Sequence, residues 1–135
     1  MRINIEPYGR ITTGEASLFT LTNDSGSHVK ITNYGGIVTD VLVPDRDGKL
    51  INVVLGFDKL EDYLSDAYFE VMPYFGAIIG RYANRINKGR FVIEGKTFQT
   101  PQNLGENSLH GGILGFDKKL WSSETTTSND HVALT

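Results

Sequence analysis

Apolar residues recur along the chain in short runs of four to eight positions, separated by clusters of glycine, asparagine, aspartate and proline. Such runs, rich in β-branched and aromatic side chains, are the pattern of many short strands rather than of long helices. Ala16 to Thr22 and Val29 to Asn33 flank Asn23, Asp24, Ser25 and Gly26, which suit the backbone reversal of a hairpin. Ile37 to Val43 carries apolar residues on both faces, which predicts a largely buried strand. Pro44 to Gly48 supplies a turn, and Leu50 to Leu55 returns as a strand. A second hairpin is predicted from Phe91 to Ile93 and Thr97 to Gln99 around Glu94, Gly95 and Lys96. A third, near the last residue, joins Trp121 to Thr126 and His131 to Thr135.

One segment has helical spacing. Asp58 can cap a helix ending at Leu64, with Glu61 three residues later and Leu60, Tyr63 and Leu64 on one face. Pro101 to Gly112 reads as a long loop, and long loops inside compact domains are often functional. The fold class expected is all-β, in one domain over residues 1–135, and the last strand stops without a terminating signal, as though the architecture continued.

Composition narrows the function classes. Thirteen Lys and Arg against sixteen Asp and Glu leave a net charge of −3, without the basic excess of a phosphate-backbone binder, so nucleic acid is not an expected partner. The chain has no cysteine, which excludes a disulfide framework or a thiolate site and fits a reducing compartment, so a cytoplasmic location is expected. No segment reads as a signal peptide or a membrane span, so no membrane partner is expected.

Two segments hold candidate chemistry. Arg81, Tyr82, Ala83, Asn84 and Arg85 place two guanidinium groups and an amide among small or apolar neighbours, a set of donors and acceptors suited to the hydroxyls of a neutral polyol. Composition alone favours ordinary surface ion pairs for both arginines. In the other segment, Asn107 to Gly112, His110 stands beside two glycines that let backbone approach a ligand closely. His28 and His131 fall on the solvent side of predicted strands and are assigned incidental roles. The three histidines lack metal-ligand spacing, so no metal site is expected. Asp45, Asp47 and Gly48 begin like a calcium loop, but Lys49 stands at the next ligand position, which leaves a turn. The glycines at 111, 112 and 115 lack the spacing of a nucleotide loop, and no serine sits in a nucleophile elbow. Tyr74, Phe75, Phe116 and Trp121 could stack on a sugar, although aromatic residues more often fill a core.

Six segments, VPDRDGK, NVVLGFDKLEDY, PYFGAIIGRYANRINKGRF, GKTF, NSLHGG and GFDKKLW, lie in the order found in aldose 1-epimerases, and over Asn33 to Trp121 the chain resembles that family. The segment between Leu64 and Pro73 is longer than the family pattern. The resemblance implies a β-sandwich of the galactose mutarotase type, incomplete in this chain, of which residues 1–135 form the N-terminal part. It implies a cofactor-free isomerase that interconverts the α and β anomers of an aldose such as galactose or glucose. By motif position, Asn84 and Arg85 of ANRI and His110 of LHGG fall on the family's sugar-binding residues, with Arg81 nearby. The family's base, a glutamate, and its acid, a second histidine, have no match here and are expected beyond Thr135. The chain alone is therefore expected to be inactive or nearly so. Two further expectations stand beside this one: a noncatalytic carbohydrate-binding sandwich, or a fragment whose strand edges pair with a second chain or with a missing C-terminal portion.

Overall fold

The computed structural model describes residues 1–135 and is built almost entirely of antiparallel strands. Two compact units divide it, Met1–Ala77 with Leu120–Thr135, and Ile78–Lys119.

The first unit holds a five-stranded meander in the order β1 (Arg2–Ile11), β2 (Gly14–Thr22), β3 (His28–Thr32), β4 (Val38–Pro44) and β5 (Leu50–Asn52). The β2–β3 reversal follows from Asn23, whose Oδ1 accepts hydrogen bonds from the Ser25 N–H at 3.1 Å and the Ser25 hydroxyl at 2.8 Å. Asp45 closes the β4–β5 turn the same way, its Oδ1 accepting from the N–H groups of Asp47 at 2.8 Å and Lys49 at 2.9 Å. Side chains that bond backbone two residues onward are the physical basis of such turns.

β5 is shorter than the strand expected from Leu50 to Leu55. The Asn52 side chain ends it, because its Oδ1 accepts from both the Val41 N–H at 3.1 Å and the Val54 N–H at 3.2 Å. β4 is less buried than expected: Thr39 is buried, and most of the strand is half-buried. β1 was not foreseen, since Pro7 and a register shift between Pro7 and Gly9 break its alternation.

The core of this unit joins Ala16, Tyr34, Ile37, Leu60 and Tyr63. Leu60 and Tyr63 lie on the short helix α1 (Leu60–Tyr63), which starts two residues later than expected; Lys59 precedes it and makes no side-chain cap. The Phe57 backbone is held between two tyrosines, its N–H donating to the Tyr63 hydroxyl and its carbonyl accepting from the Tyr8 hydroxyl, each at 2.8 Å. Burial raises the pKa of both phenols. The Phe57 and Tyr68 rings meet Tyr63 edge-on at 5.0 and 5.5 Å. A second helix, α2 (Asp66–Val71), lies between Leu64 and Pro73, capped by the Ser65 Oγ accepting from the Tyr68 N–H at 3.2 Å.

The second unit contains three strand segments placed close in sequence and a fourth after a long connection. β6 (Arg85–Ile86) pairs with β9 (Ser108–Leu109), and β7 (Arg90–Ile93) pairs with β8 (Lys96–Gln99) as the expected hairpin. The Phe91 and Phe98 rings stack across that hairpin at 5.3 Å. In the first unit again, β10 (Thr125–Thr127) and β11 (Val132–Leu134) form the last hairpin, so the strand expected from Trp121 begins only at Thr125. Trp121 instead ties back to Asn33, donating its N–H to the Asn33 carbonyl at 2.9 Å. Leu55, Val71 and Leu114 are exposed to 70%, 75% and 68%. No helix is long and apolar enough to cross a membrane.

Candidate functional site

Within Ile78–Lys119, the β6–β9 ladder sets Arg85 opposite Leu109 and Ile86 opposite Ser108, so the ANRI and SLHGG segments run side by side. The pairing continues one residue past the strands in an unusual form. The His110 N–H donates to the Asn84 carbonyl at 3.0 Å, and the Asn84 N–H donates to His110 Nδ1, also at 3.0 Å. Both residues have left-handed backbones, φ 64 at Asn84 and φ 52 at His110. Non-glycine residues hold that conformation at a cost, and it collects where surrounding structure enforces it, often at functional sites.

A backbone N–H can only donate, so the bond to Nδ1 makes that nitrogen an acceptor and leaves the ring proton of neutral His110 on Nε2. Beside it, Arg85 Nη1 donates to Asn84 Oδ1 at 2.9 Å. Arg81 sits with its guanidinium carbon 5.3 Å from the centre of the Phe116 ring, within reach of a cation–π interaction. None of Arg81, Arg85 and Lys119 has a carboxylate within ion-pair distance, so the surface ion pairs favoured by composition do not form.

Glycine builds the approach of the two segments. A methyl group on Gly111 would lie 1.9 Å from the Gly80 carbonyl oxygen, and one on Gly80 would lie 2.4 Å from the Phe116 ring. The Phe116 N–H donates to the same Gly80 carbonyl at 3.1 Å. Asn103 supports β9 as a side-chain strand: its Oδ1 accepts from the Leu109 N–H at 2.7 Å and its Nδ2 donates to the Leu109 carbonyl at 3.0 Å. The Asn107 Oδ1 accepts from the Lys88 N–H at 3.0 Å. These two asparagines were not singled out individually in the sequence, although polar residues flanking a loop glycine are where such bonds are sought.

An open cavity of about 910 Å³ lies on this unit, walled by Arg81, Tyr82, Arg85, Phe91 and Phe116 among others. It brings Arg81 and Arg85 together. Asn84 and His110 are bonded to each other beside it and do not line it. Apolar walls with a few convergent polar groups are what small-molecule sites offer. No carboxylate lines it, so its wall contains no carboxylate to serve as a base. The one buried acid nearby in sequence, Asp117, is paired through Oδ2 with Lys118 Nζ at 2.5 Å, while its Oδ1 has no hydrogen-bond partner.

Of the other histidines, His131 is exposed, whereas His28, expected on the solvent side, is half-buried. His28 Nδ1 contacts the Gly26 carbonyl at 3.3 Å in its turn. In the exposed turn before β11, Ser128 Oγ and Asp130 Oδ1 both address His131 Nδ1, at 2.8 and 2.9 Å, so the trio lacks the two-sided geometry of a proton relay. These bonds, first from Ser128 and then from His131, hold the Asp130 carboxyl below the usual carboxylate range. Of the aromatic candidates, Phe116 is a cavity wall, whereas Phe75 belongs to the Phe57 and Tyr68 cluster.

The family model for aldose 1-epimerase matches residues 17–135. The chain is 46% identical over 123 residues to galactose mutarotase of Mus musculus, covering 90% of this chain and 34% of that protein. It is 32% identical over 132 residues to aldose 1-epimerase of Streptococcus thermophilus, covering 98% of this chain and 36% of that protein. The crystal structure of galactose 1-epimerase from Lactobacillus acidophilus superposes with a TM-score of 0.82 at 30% identity, covering 99% of this chain and 37% of that one. The chain thus spans about a third of the length of the relatives it matches. On the match of the family model over most of its length, the chain belongs to the aldose 1-epimerase family.

Proposed function

We propose that this chain supplies the sugar-binding part of an enzyme that interconverts the α and β anomers of an aldose such as galactose or glucose. The observation that carries the reading is the two-way bond between Asn84 and His110 at the end of the β6–β9 ladder, which holds the Arg85 and His110 segments side by side with the imidazole proton on Nε2. In this reading Arg85 and the His110 Nε2–H are donors to sugar oxygens, Asn84 completes the set, and Arg81 contributes from the cavity wall. Anomer exchange needs a base for the anomeric hydroxyl and an acid for the ring oxygen, so that the ring opens, the aldehyde carbon turns and the ring recloses from the other face. With no carboxylate lining the cavity, the chain by itself is read as binding without turnover.

Titration of the chain with galactose, followed by NMR, tests this. Arg85→Ala is expected to weaken binding about tenfold or more, the loss of one hydrogen bond from a charged donor. His110→Ala removes a donor and also leaves the Asn84 N–H unpaired. Unchanged affinity in both variants would overturn the assignment. The absence of a cavity carboxylate also favours a second reading, a noncatalytic carbohydrate-binding sandwich. Polarimetry separates the two when the chain is joined to the remaining two-thirds of a relative: accelerated mutarotation supports the enzyme, and affinity without acceleration supports the binding module.

A further inference from the structure

Resting on the sugar-site reading, we infer that Asn103 is a positioning residue for His110: its side-chain amide clamps the peptide unit from which the imidazole is aimed. Residues opposite one another in an antiparallel ladder alternate between pairs that exchange hydrogen bonds and pairs that do not. The His110 N–H bonds the Asn84 carbonyl, so the Arg85–Leu109 pair is of the second kind, and the Leu109 N–H and carbonyl face away from β6. Asn103 meets both, Oδ1 accepting from the N–H at 2.7 Å and Nδ2 donating to the carbonyl at 3.0 Å. The amide orientation follows from chemistry, because a backbone N–H only donates and a carbonyl only accepts.

The Leu109 carbonyl and the His110 N–H belong to one planar peptide unit. Asn84 holds that plane from one side and Asn103 from the other. In a regular ladder the Asn84 N–H would bond the His110 carbonyl; at φ 52 the ring Nδ1 takes its place. Rotation of the plane therefore swings the imidazole, and the Asn103 amide opposes that rotation from the outer side. Asn103 is itself anchored. Its N–H donates to the Asn107 carbonyl at 3.1 Å, and Asn107 Oδ1 accepts from the Lys88 N–H at 3.0 Å, two residues past β6. Alanine at position 103 would release both Leu109 groups. Aspartate would keep the acceptor for the Leu109 N–H and set a carboxylate oxygen, which cannot donate, against the Leu109 carbonyl.

The experiment uses ¹⁵N-labelled chain at neutral pH, reading amide exchange, the His110 imidazole nitrogens and galactose affinity in wild type, Asn103→Ala and Asn103→Asp. In wild type the ring is expected to show a protonated Nε2 and a bare Nδ1. In Asn103→Ala the Leu109, His110 and Asn84 amides exchange about tenfold faster, the scale of one lost hydrogen bond; the ring signals average between tautomers, and galactose affinity falls by a similar factor. In Asn103→Asp the Leu109 amide stays protected while His110 and Asn84 behave as in Asn103→Ala. The β7–β8 amides keep their wild-type exchange in both, which separates positioning from general stability. Wild-type ring signals in Asn103→Asp would overturn the role, as would a loss of protection spread evenly over the β7–β8 hairpin. Should Asn103→Ala not fold, the contrast between Leu109 and His110 in Asn103→Asp decides alone. Failure of the sugar-site reading looks different: the amide and ring signals respond to substitution at position 103, with no galactose binding in wild type or none lost in the variants.

Discussion

Replacing Gly111 with alanine is the sharpest challenge to the geometry of the site. The new methyl would lie 1.9 Å from the Gly80 carbonyl oxygen, 2.7 Å from its carbon and 3.2 Å from the Arg81 nitrogen, all backbone atoms. An unstrained carbon–oxygen contact needs about 3.3 Å, so the two segments must separate by about 1.4 Å. The residue also sits at φ +91, where a side chain costs about 1–3 kcal/mol in conformation alone. Overpacking against backbone adds about 1–3 kcal/mol. Gly95→Ala isolates the first term, because Gly95 has φ +76 with nothing within 4 Å of its added methyl. Thermal unfolding followed by circular dichroism is expected to rank wild type above Gly95→Ala and Gly95→Ala above Gly111→Ala. Galactose affinity is expected to fall only in Gly111→Ala, since only there do His110 and Arg81 move apart. If Gly111→Ala melts with Gly95→Ala and binds galactose as wild type does, the close approach of the two segments is not what forms the site.

Two further predictions concern the first unit. Leu60 is fully buried in the core and packs over Gly9, so Leu60→Ala should destabilise the chain by about 2–5 kcal/mol, read as a fall in the urea midpoint; a change below about 1 kcal/mol would mean the core does not depend on α1. Tyr8 and Tyr63 have phenols raised above the ordinary value of 10.0 chiefly by burial. Above pH 10.0 the unfolded chain loses protons that the folded chain keeps, so stability should hold up to that pH and decline beyond it. Urea midpoints measured alongside tyrosinate absorbance check this, and a midpoint that stays level through the titration of the exposed tyrosines would refute it.

The local devices of this fold are written in short stretches of sequence. Asn23 with Ser25 and Gly26, Asp45 with Asp47 and Gly48, and Glu94 with Gly95 each announce a reversal, because a short polar side chain bonding nearby backbone or a glycine at positive φ acts within a few residues. The Ser65 cap of α2 has the same local character, a hydroxyl bonding the N–H three residues onward. The length of β5 was not legible in the same way. It depends on Asn52 reaching Val41 on the neighbouring strand, a partner that sequence does not bring near.

The same division runs through the site. The sequence by itself determined the strand-rich class and, through family motifs, which residues belong together: Arg85 in ANRI and His110 in LHGG. What they do to one another was decided by tertiary structure. The Asn84 N–H reaches His110 Nδ1 across 26 residues of chain, and only the β6–β9 register and two left-handed backbones make that possible. A histidine's tautomer and an arginine's orientation follow from which groups lie within about 3 Å, and such distances are set by packing among segments far apart in the sequence, not by the residues next in line.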